Sequence, residues 1–257
     1  MTQYLDIAIL AAKEAAKIHK KHFNTDIKAQ VKEKTFDLVT VADIEAEKKI
    51  VSVIRKSFPE HNILAEEGKY DQTDSEYKWI IDPLDGTNNF SQGVPIFSVS
   101  IALTKNDEVL IGVIYDTMRD EMFSACAGKG SFLNGQKIKI NSADKLNQAL
   151  LITGFYYDRG NNMVKNLENI KKFFQTQIIG IRRFGSAALD LCYIACGRAA
   201  GFWEFELNAW DFAAGKLIVE EAGGKVTGEK GQDILLTKSF IVASNGKIHS
   251  KMLEVLR

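Results

Sequence analysis

Residues 79–90 read WIIDPLDGTNNF, and this stretch leaves the chain little conformational choice. An apolar strand runs into two carboxylates three residues apart, divided by a proline and closed by Gly86-Thr87. The chain has only three prolines, and two of them, Pro83 and Pro95, flank this turn, so its rigidity is concentrated there. Pro83 restricts Asp82 to extended backbone and fixes its own φ. An Asp-Gly pair alone is ordinary turn chemistry. Here, however, the first aspartate ends a strand, where α/β folds present binding groups. Gly86 lets the backbone approach a ligand closely, and residues 86–89 suit a helix start or a nest of free N–H groups for a phosphate. Two carboxylates this close repel unless a cation or proton lies between them. Oxygen ligands without a nearby Cys or His favour Mg²⁺ or Mn²⁺ over zinc. Mg²⁺ in turn keeps waters and phosphate oxygens in its shell. The local chemistry therefore points to a metal and phosphate site.

The rest of the chain supplies an α/β frame for that turn. Leu5, Ile9, Ala12 and Ala16 step by four, three and four, which predicts a helix over 4–22. Ile50, Ile54 and Phe58 predict a second over 42–57, with Asp43 in its first turn and Pro59 beyond its end. Strand signals follow at 62–66 and 77–82, then a hairpin over 97–116 turning at 105–107, then glycine-broken strands over 121–141. Further strands are predicted at 149–155, 178–183, 201–207 and 240–245. Helices are predicted at 162–174, 186–197, 210–222 and the C-terminus. The first 140 or so residues thus read as two helices and many strands, and the remainder alternates strand and helix. Two tightly associated halves, 1–140 and 141–257, sharing one cleft, are the expectation.

Composition removes several alternatives. With 33 basic and 33 acidic residues, the chain lacks the basic excess of a general nucleic-acid binder. No apolar run approaches the roughly 18 residues that span a bilayer. The first 23 residues carry Asp6 and Glu14 and no basic n-region, so they do not read as a signal peptide, and a cytoplasmic protein is expected. Cys126, Cys192 and Cys196 form no CxxC pair and read as small buried apolar residues rather than a disulfide framework or zinc site. His19, His22, His61 and His249 lie in charged or terminal segments and read as surface residues. Arg182 and Arg183 carry the charge to meet a phosphate but stand in no motif that assigns them one, and a subunit or domain contact is an equal reading.

With these residues in place the pattern resembles the inositol monophosphatase family. WIIDPLDGTNNF is similar to its first signature and AWDFAAGKLIVEEAGG (209–224) to its second. LAEEG (64–68), DLVTVAD (37–43) and RRFGSAALDLCYIACGR (182–198) follow the family in order and spacing, so the resemblance covers nearly the whole chain. It implies a layered αβαβα fold of the α+β class, as in sugar phosphatases, and a Mg²⁺-dependent phosphomonoesterase, with Mn²⁺ as a substitute. It implies that Glu66, Asp82, the Leu84 carbonyl, Asp85 and Asp211 hold two or three metals. Glu66 and Thr87 would orient the attacking water, with Asp43 polarising Thr87. The N–H groups of Gly86 and Thr87 would hold the phosphate. Asp85, Gly185, Ser186, Ala187 and Glu204 would contact the alcohol.

The implied substrate is myo-inositol 1-phosphate. Fructose 1,6-bisphosphate, histidinol phosphate, nucleotide 3′-phosphates and NADP remain alternatives. The resemblance also implies lithium inhibition, a homodimer, and, as a reading of a different class, a regulatory protein that binds the transcription machinery.

Overall fold

The computed structural model describes residues 2–25, 30–31, 38–155 and 159–257. Asp37, which opens the DLVTVAD stretch, lies outside them. The chain begins with helix α1 (Thr2–His22), the paired short strands β1 (Gln30–Val31) and β2 (Leu38–Val39), and helix α2 (Val41–Ser57). Strands β3 (Asn62–Ala65) and β4 (Tyr77–Asp85) follow, then the short helix α3 (Thr87–Ser91). A meander comes next: β5 (Ser98–Lys105), β6 (Glu108–Asp116), β7 (Glu121–Cys126), β8 (Gly130–Leu133) and β9 (Gln136–Lys137). Beyond it lie β10 (Leu150–Thr153), α4 (Asn161–Gln175), β11 (Gly180–Arg182), α5 (Ala187–Ala195) and β12 (Gly201–Leu207). The chain closes with α6 (Ala209–Glu221), β13 (Lys225–Thr227), β14 (Ser239–Ser244) and α7 (His249–Leu256).

Strands β3 to β9 form one sheet in chain order, with β3 and β4 parallel and the later pairs antiparallel. The second sheet runs β11-β10-β12-β14-β13, with β10 parallel to both its neighbours. The period-two rule of strands sorts the core into layers. Trp79, Ile81, Val99 and Ile101 face the alanine stripe of α1 (Ala8, Ala12, Ala15) and Ile50 and Ile54 of α2. Ile80, Ala102 and Ile114 face the opposite way, onto α5 and α6, which also receive Ile152, Phe202 and Ile241 of the second sheet. Leu151, Trp203 and Val242 on the far side of that sheet pack with Phe173 of α4 and Met252 of α7. The order is helix, sheet, helix, sheet, helix, the αβαβα arrangement expected from the sequence. Each large side chain taken fully out of water adds about 1.5–3 kcal/mol.

Because α5 lies between two sheets, every residue from Ala187 to Ala195 is buried, rather than the single face the sequence suggested. Boundaries elsewhere shift by one to three residues. Strand β13 and the β1–β2 pair carry no sequence signal because two- and three-residue strands are too short to show a period.

Two expectations are corrected: of the three cysteines only Cys192 is fully buried, Cys126 and Cys196 being partly exposed, and two of the four histidines are not surface residues. His19 and His249 are core residues, exposed by 0% and 2%. His19 follows Ala12, Ala15 and Ala16 at helical spacing, so the α1 stripe itself carries it inward. His249 opens α7 and is held between Thr227 and Ser244, with ring nitrogens 2.8 and 2.9 Å from their hydroxyls. His22 and His61 are partly buried.

Candidate active site

The site forms where two strands break their pairing before a helix. In β4, Asp82 pairs with Ser100 and Asp85 with Ser98, so one extra residue bulges between them. In β12, Glu204 pairs with Ile241 and Leu207 with Ser239, again with one extra residue. A bulge bends a strand and redirects its side chains. The β4 bulge turns both aspartates toward one cleft and leads through Gly86 (φ 103°) into α3. The β12 bulge is followed at once by α6, which carries Asp211.

Glu66, Asp82, Leu84, Asp85, Gly86, Thr87, Gly185, Ala187, Glu204 and Asp211 all line that cleft. Glu66 reaches it because β3 is parallel to β4. Its N–H donates to the Ile81 carbonyl (3.2 Å), setting it beside Asp82 at the strand ends. Asp82 is 2% exposed and accepts from the Leu84 N–H at 3.0 Å. Asp85 Oδ2 accepts from the Ser186 hydroxyl (2.6 Å) and the Ala188 N–H (2.8 Å) at the start of α5. The Ser186 hydroxyl is therefore turned onto Asp85 rather than into the cleft. Asp211 Oδ2 accepts from the Asn208 N–H at 2.6 Å, so it caps α6 while lining the cleft.

Asp43 has a similar double use. Its Oδ2 accepts from the N–H (2.8 Å) and hydroxyl (2.6 Å) of Thr40, which caps α2. Its Oδ1 accepts from the Thr87 hydroxyl at 2.8 Å. That hydroxyl also lies 3.0 Å from the Leu84 carbonyl oxygen. A hydroxyl whose proton points at Asp43 leaves its lone pairs for a donor in the cleft.

Charge dominates the site. Burial, then Glu66, Asp85 and Asp211, push the Asp82 carboxyl well above the usual carboxylate range. Burial, then Glu66 and Asp85, do likewise for Asp211, with a smaller push from Glu204 and an opposing pull from the Asn208 N–H. Asp85 is pushed to about 6 by burial, against the opposing pull of Ser186 and Ala188. Glu204, 8% exposed, is pushed to about 8 by burial and Asp85. Clustered acids in this condition hold either protons or a cation. The donors are all oxygen, which fits Mg²⁺ or Mn²⁺. Among the described residues no three acids form a closed metal cage. An ion that completes its shell with water and substrate oxygens does not require one.

The structure adds residues that sequence reasoning passed over. Arg183, for which the sequence left a phosphate and a contact role open, lines the cleft and is the cation that opposes the raised pKa of Glu204. A Cβ on Gly154, the residue after β10, would overlap the Glu204 carboxylate, so glycine there leaves that carboxylate its place. Asn89 donates to the Ile96 (2.8 Å) and Phe184 (2.7 Å) carbonyls and ties the first sheet's turn to the loop before α5. Asp190, 1% exposed in α5, has no hydrogen-bond partner for either carboxyl oxygen. Burial, then Glu204, raises its pKa well above the usual range. Its only sequence signal was an acid inside an otherwise apolar helix.

Comparison with known proteins follows the same lines. The sequence model described as "Inositol monophosphatase family" matches residues 1–257. A Pseudomonas aeruginosa protein named "Nus factor SuhB" is 41% identical over 264 residues, covering 100% of this chain and 97% of that one. A Synechocystis protein named "Inositol-1-monophosphatase" is 44% identical over 233 residues, covering 88% and 79%. The crystal structure of extragenic suppressor protein suhB from Bartonella henselae superposes with a TM-score of 0.94 at 36% identity, covering 99% and 98%.

Proposed function

We infer the activity from one premise: the chain belongs to the inositol monophosphatase family, whose sequence model spans residues 1–257. Membership supports a phosphatase. We propose that this phosphatase hydrolyses a polyol phosphate, myo-inositol 1-phosphate first among candidates, with Mg²⁺ as its cofactor. The observation that carries the reading is the cleft in which Glu66, Asp82, Asp85 and Asp211 meet beside the Asp43–Thr87 hydrogen bond.

Glu66, Asp82, the Leu84 carbonyl, Asp85 and Asp211 would hold the metal. Bound there, Mg²⁺ supplies Lewis-acid neutralisation of the phosphate and a more acidic water. The remaining work falls to the chain. Asp43 fixes the Thr87 hydroxyl so that its oxygen can accept from the attacking water, and Glu66 would orient the same water. The N–H groups of Gly86 and Thr87, at the opening of α3, face the phosphate oxygens. Ser186 and the α5 N-terminus hold Asp85, while Gly185 and Ala187 form the wall against the alcohol. Glu204 accepts from hydroxyls of that alcohol, which favours a neutral polyol over a second phosphate. No covalent phosphoenzyme is expected, since the nucleophile is water.

Phosphate release should be compared across inositol 1-phosphate, fructose 1,6-bisphosphate, histidinol phosphate, 3′-phosphoadenosine phosphate and NADP, each with Mg²⁺ and with EDTA. The reading expects Mg²⁺-dependent turnover, greatest on inositol 1-phosphate, inhibition by Li⁺, and loss of turnover in a folded Asp82→Asn variant. Near-normal activity of that variant at saturating Mg²⁺ would sink the metal assignment. A second reading is favoured by the relative named Nus factor SuhB. It holds that the same chain also acts as a regulatory partner of the transcription machinery. Pull-down with RNA polymerase, with and without Mg²⁺, tests it. Family resemblance also supports a homodimer, which sedimentation would reveal.

A further inference from the structure

Apart from the acids, one buried titratable side chain touches the turn that carries them. His19, on α1, is 0% exposed. Its Nε2 lies 2.9 Å from the Pro83 carbonyl oxygen and its Nδ1 lies 3.1 Å from the Thr117 hydroxyl oxygen. A carbonyl oxygen only accepts, so Nε2 carries the proton. Burial lowers the pKa to about 4, so the ring is neutral and Nδ1 accepts from Thr117. The ring's edges meet Phe90 and Phe97 at centroid separations of 6.0 and 5.7 Å, which fixes its tilt.

The bond to Pro83 bears on the acids because of which peptide it holds. The Pro83–Leu84 peptide presents its carbonyl to His19 and its N–H to Asp82 Oδ1, 3.0 Å away. Both ends of one rigid plane are therefore fixed, one by α1 and one by Asp82. The next carbonyl oxygen, that of Leu84, lies 3.0 Å from the Thr87 hydroxyl oxygen. The β4 bulge takes this segment out of regular pairing, so a side chain must do what a neighbouring strand does elsewhere.

We propose that His19 is a positioning residue that, with Thr117, fixes the Pro83–Leu84 peptide and so preorganises the Asp82 carboxylate for its cation. The proposal rests on the metal-site reading above, and its test includes a readout independent of that reading. His19→Leu keeps apolar volume and loses the donor. His19→Gln keeps a donor near the Nε2 position. Titration calorimetry with MgCl₂ alone, without substrate, should show about tenfold weaker binding for His19→Leu and near-wild-type binding for His19→Gln. At saturating Mg²⁺, KM for the phosphate ester should stay unchanged.

Amide hydrogen exchange in the peptide covering residues 82–87 should be faster in His19→Leu than in wild type, and restored in His19→Gln. If His19→Leu does not fold, Thr117→Val, which frees Nδ1 and the ring's orientation, should move both measurements the same way by a smaller factor. Equal losses in Leu and Gln variants would reduce His19 to a core residue. So would wild-type metal binding and exchange in a folded His19→Leu. If the wild-type protein takes up no Mg²⁺, the metal reading fails, and exchange at 82–87 still decides whether His19 holds the turn.

Discussion

Thr87 and Glu204 show how single atoms set the chemistry of this cleft. The Thr87 hydroxyl donates to Asp43 at 2.8 Å, so removing it should cost rate rather than binding. Thr87→Ala is expected to lower kcat by about 10²–10³-fold, with Mg²⁺ affinity within a few-fold of wild type. Thr87→Ser should recover most of the rate. Steady-state kinetics beside MgCl₂ calorimetry separates the two. At Glu204 the test is steric. A methyl group at Gly154 would occupy the place of the carboxylate, which would have to shift from its position in the cleft. Gly154→Ala should therefore raise KM about tenfold or more for a polyol phosphate. It should do far less to the hydrolysis of a small aryl phosphate, whose alcohol has no hydroxyls to lose. Equal damage to both substrates would remove Glu204 from alcohol recognition.

At the scale of elements, the acids are delivered by strand ends and helix starts, and each join depends on close backbone approach. Gly112 in β6 lies against α6: a Cβ there would sit 2.6 Å from the Ala214 carbonyl oxygen, which is backbone and cannot rotate aside. Gly112→Ala should push α6 off the first sheet. The expected loss of stability is about 1–3 kcal/mol by urea denaturation, with weaker metal binding because α6 carries Asp211. Much of this architecture was legible in the sequence. The steps of four and three placed α1 and α2, and the Asp-Pro-Leu-Asp-Gly-Thr turn showed where strand must give way to helix. Several parts were not legible, for physical reasons. A bulge changes register by one residue and leaves no composition signal. The burial of α5 on all sides depends on a second sheet formed by distant residues. His19 was readable from the α1 stripe but is polar, and a polar residue in a charged stretch reads as surface until its partners, Pro83 and Thr117, are brought to it by tertiary folding.

Across the whole molecule, the buried charges make stability depend on pH, and the sign differs between two sets of groups. His19 and His249 are depressed to about 4 by burial, so the unfolded chain takes up protons first as pH falls below about 6.5. Their contribution is thus complete above that pH and is lost below it. The acids act in the opposite direction. Asp85 near 6, Glu204 near 8, and Asp82, Asp190 and Asp211 raised well above the usual range hold protons that the unfolded chain has released. Their stabilising contribution is present at low pH and is lost as pH rises through their folded values. The carboxylates Glu14, Glu45 and Glu121 are lowered from the ordinary range by Lys17, His22 and Arg198 respectively. Between about pH 6.5 and 8.5, then, the histidines are settled and the cleft acids dominate. The metal-free protein should lose on the order of 1–3 kcal/mol across that window, read as a falling urea midpoint or Tm in EDTA. Saturating Mg²⁺ should abolish or reverse the slope, because a cation stabilises the charged acids that protons would otherwise neutralise. The same experiment on Asp190→Asn should keep the Mg²⁺ response while flattening part of the metal-free slope, since Asp190 lies behind Glu204 rather than on the cleft wall. An unchanged slope in EDTA and in Mg²⁺ alike would mean that the cleft acids are already compensated within the folded chain.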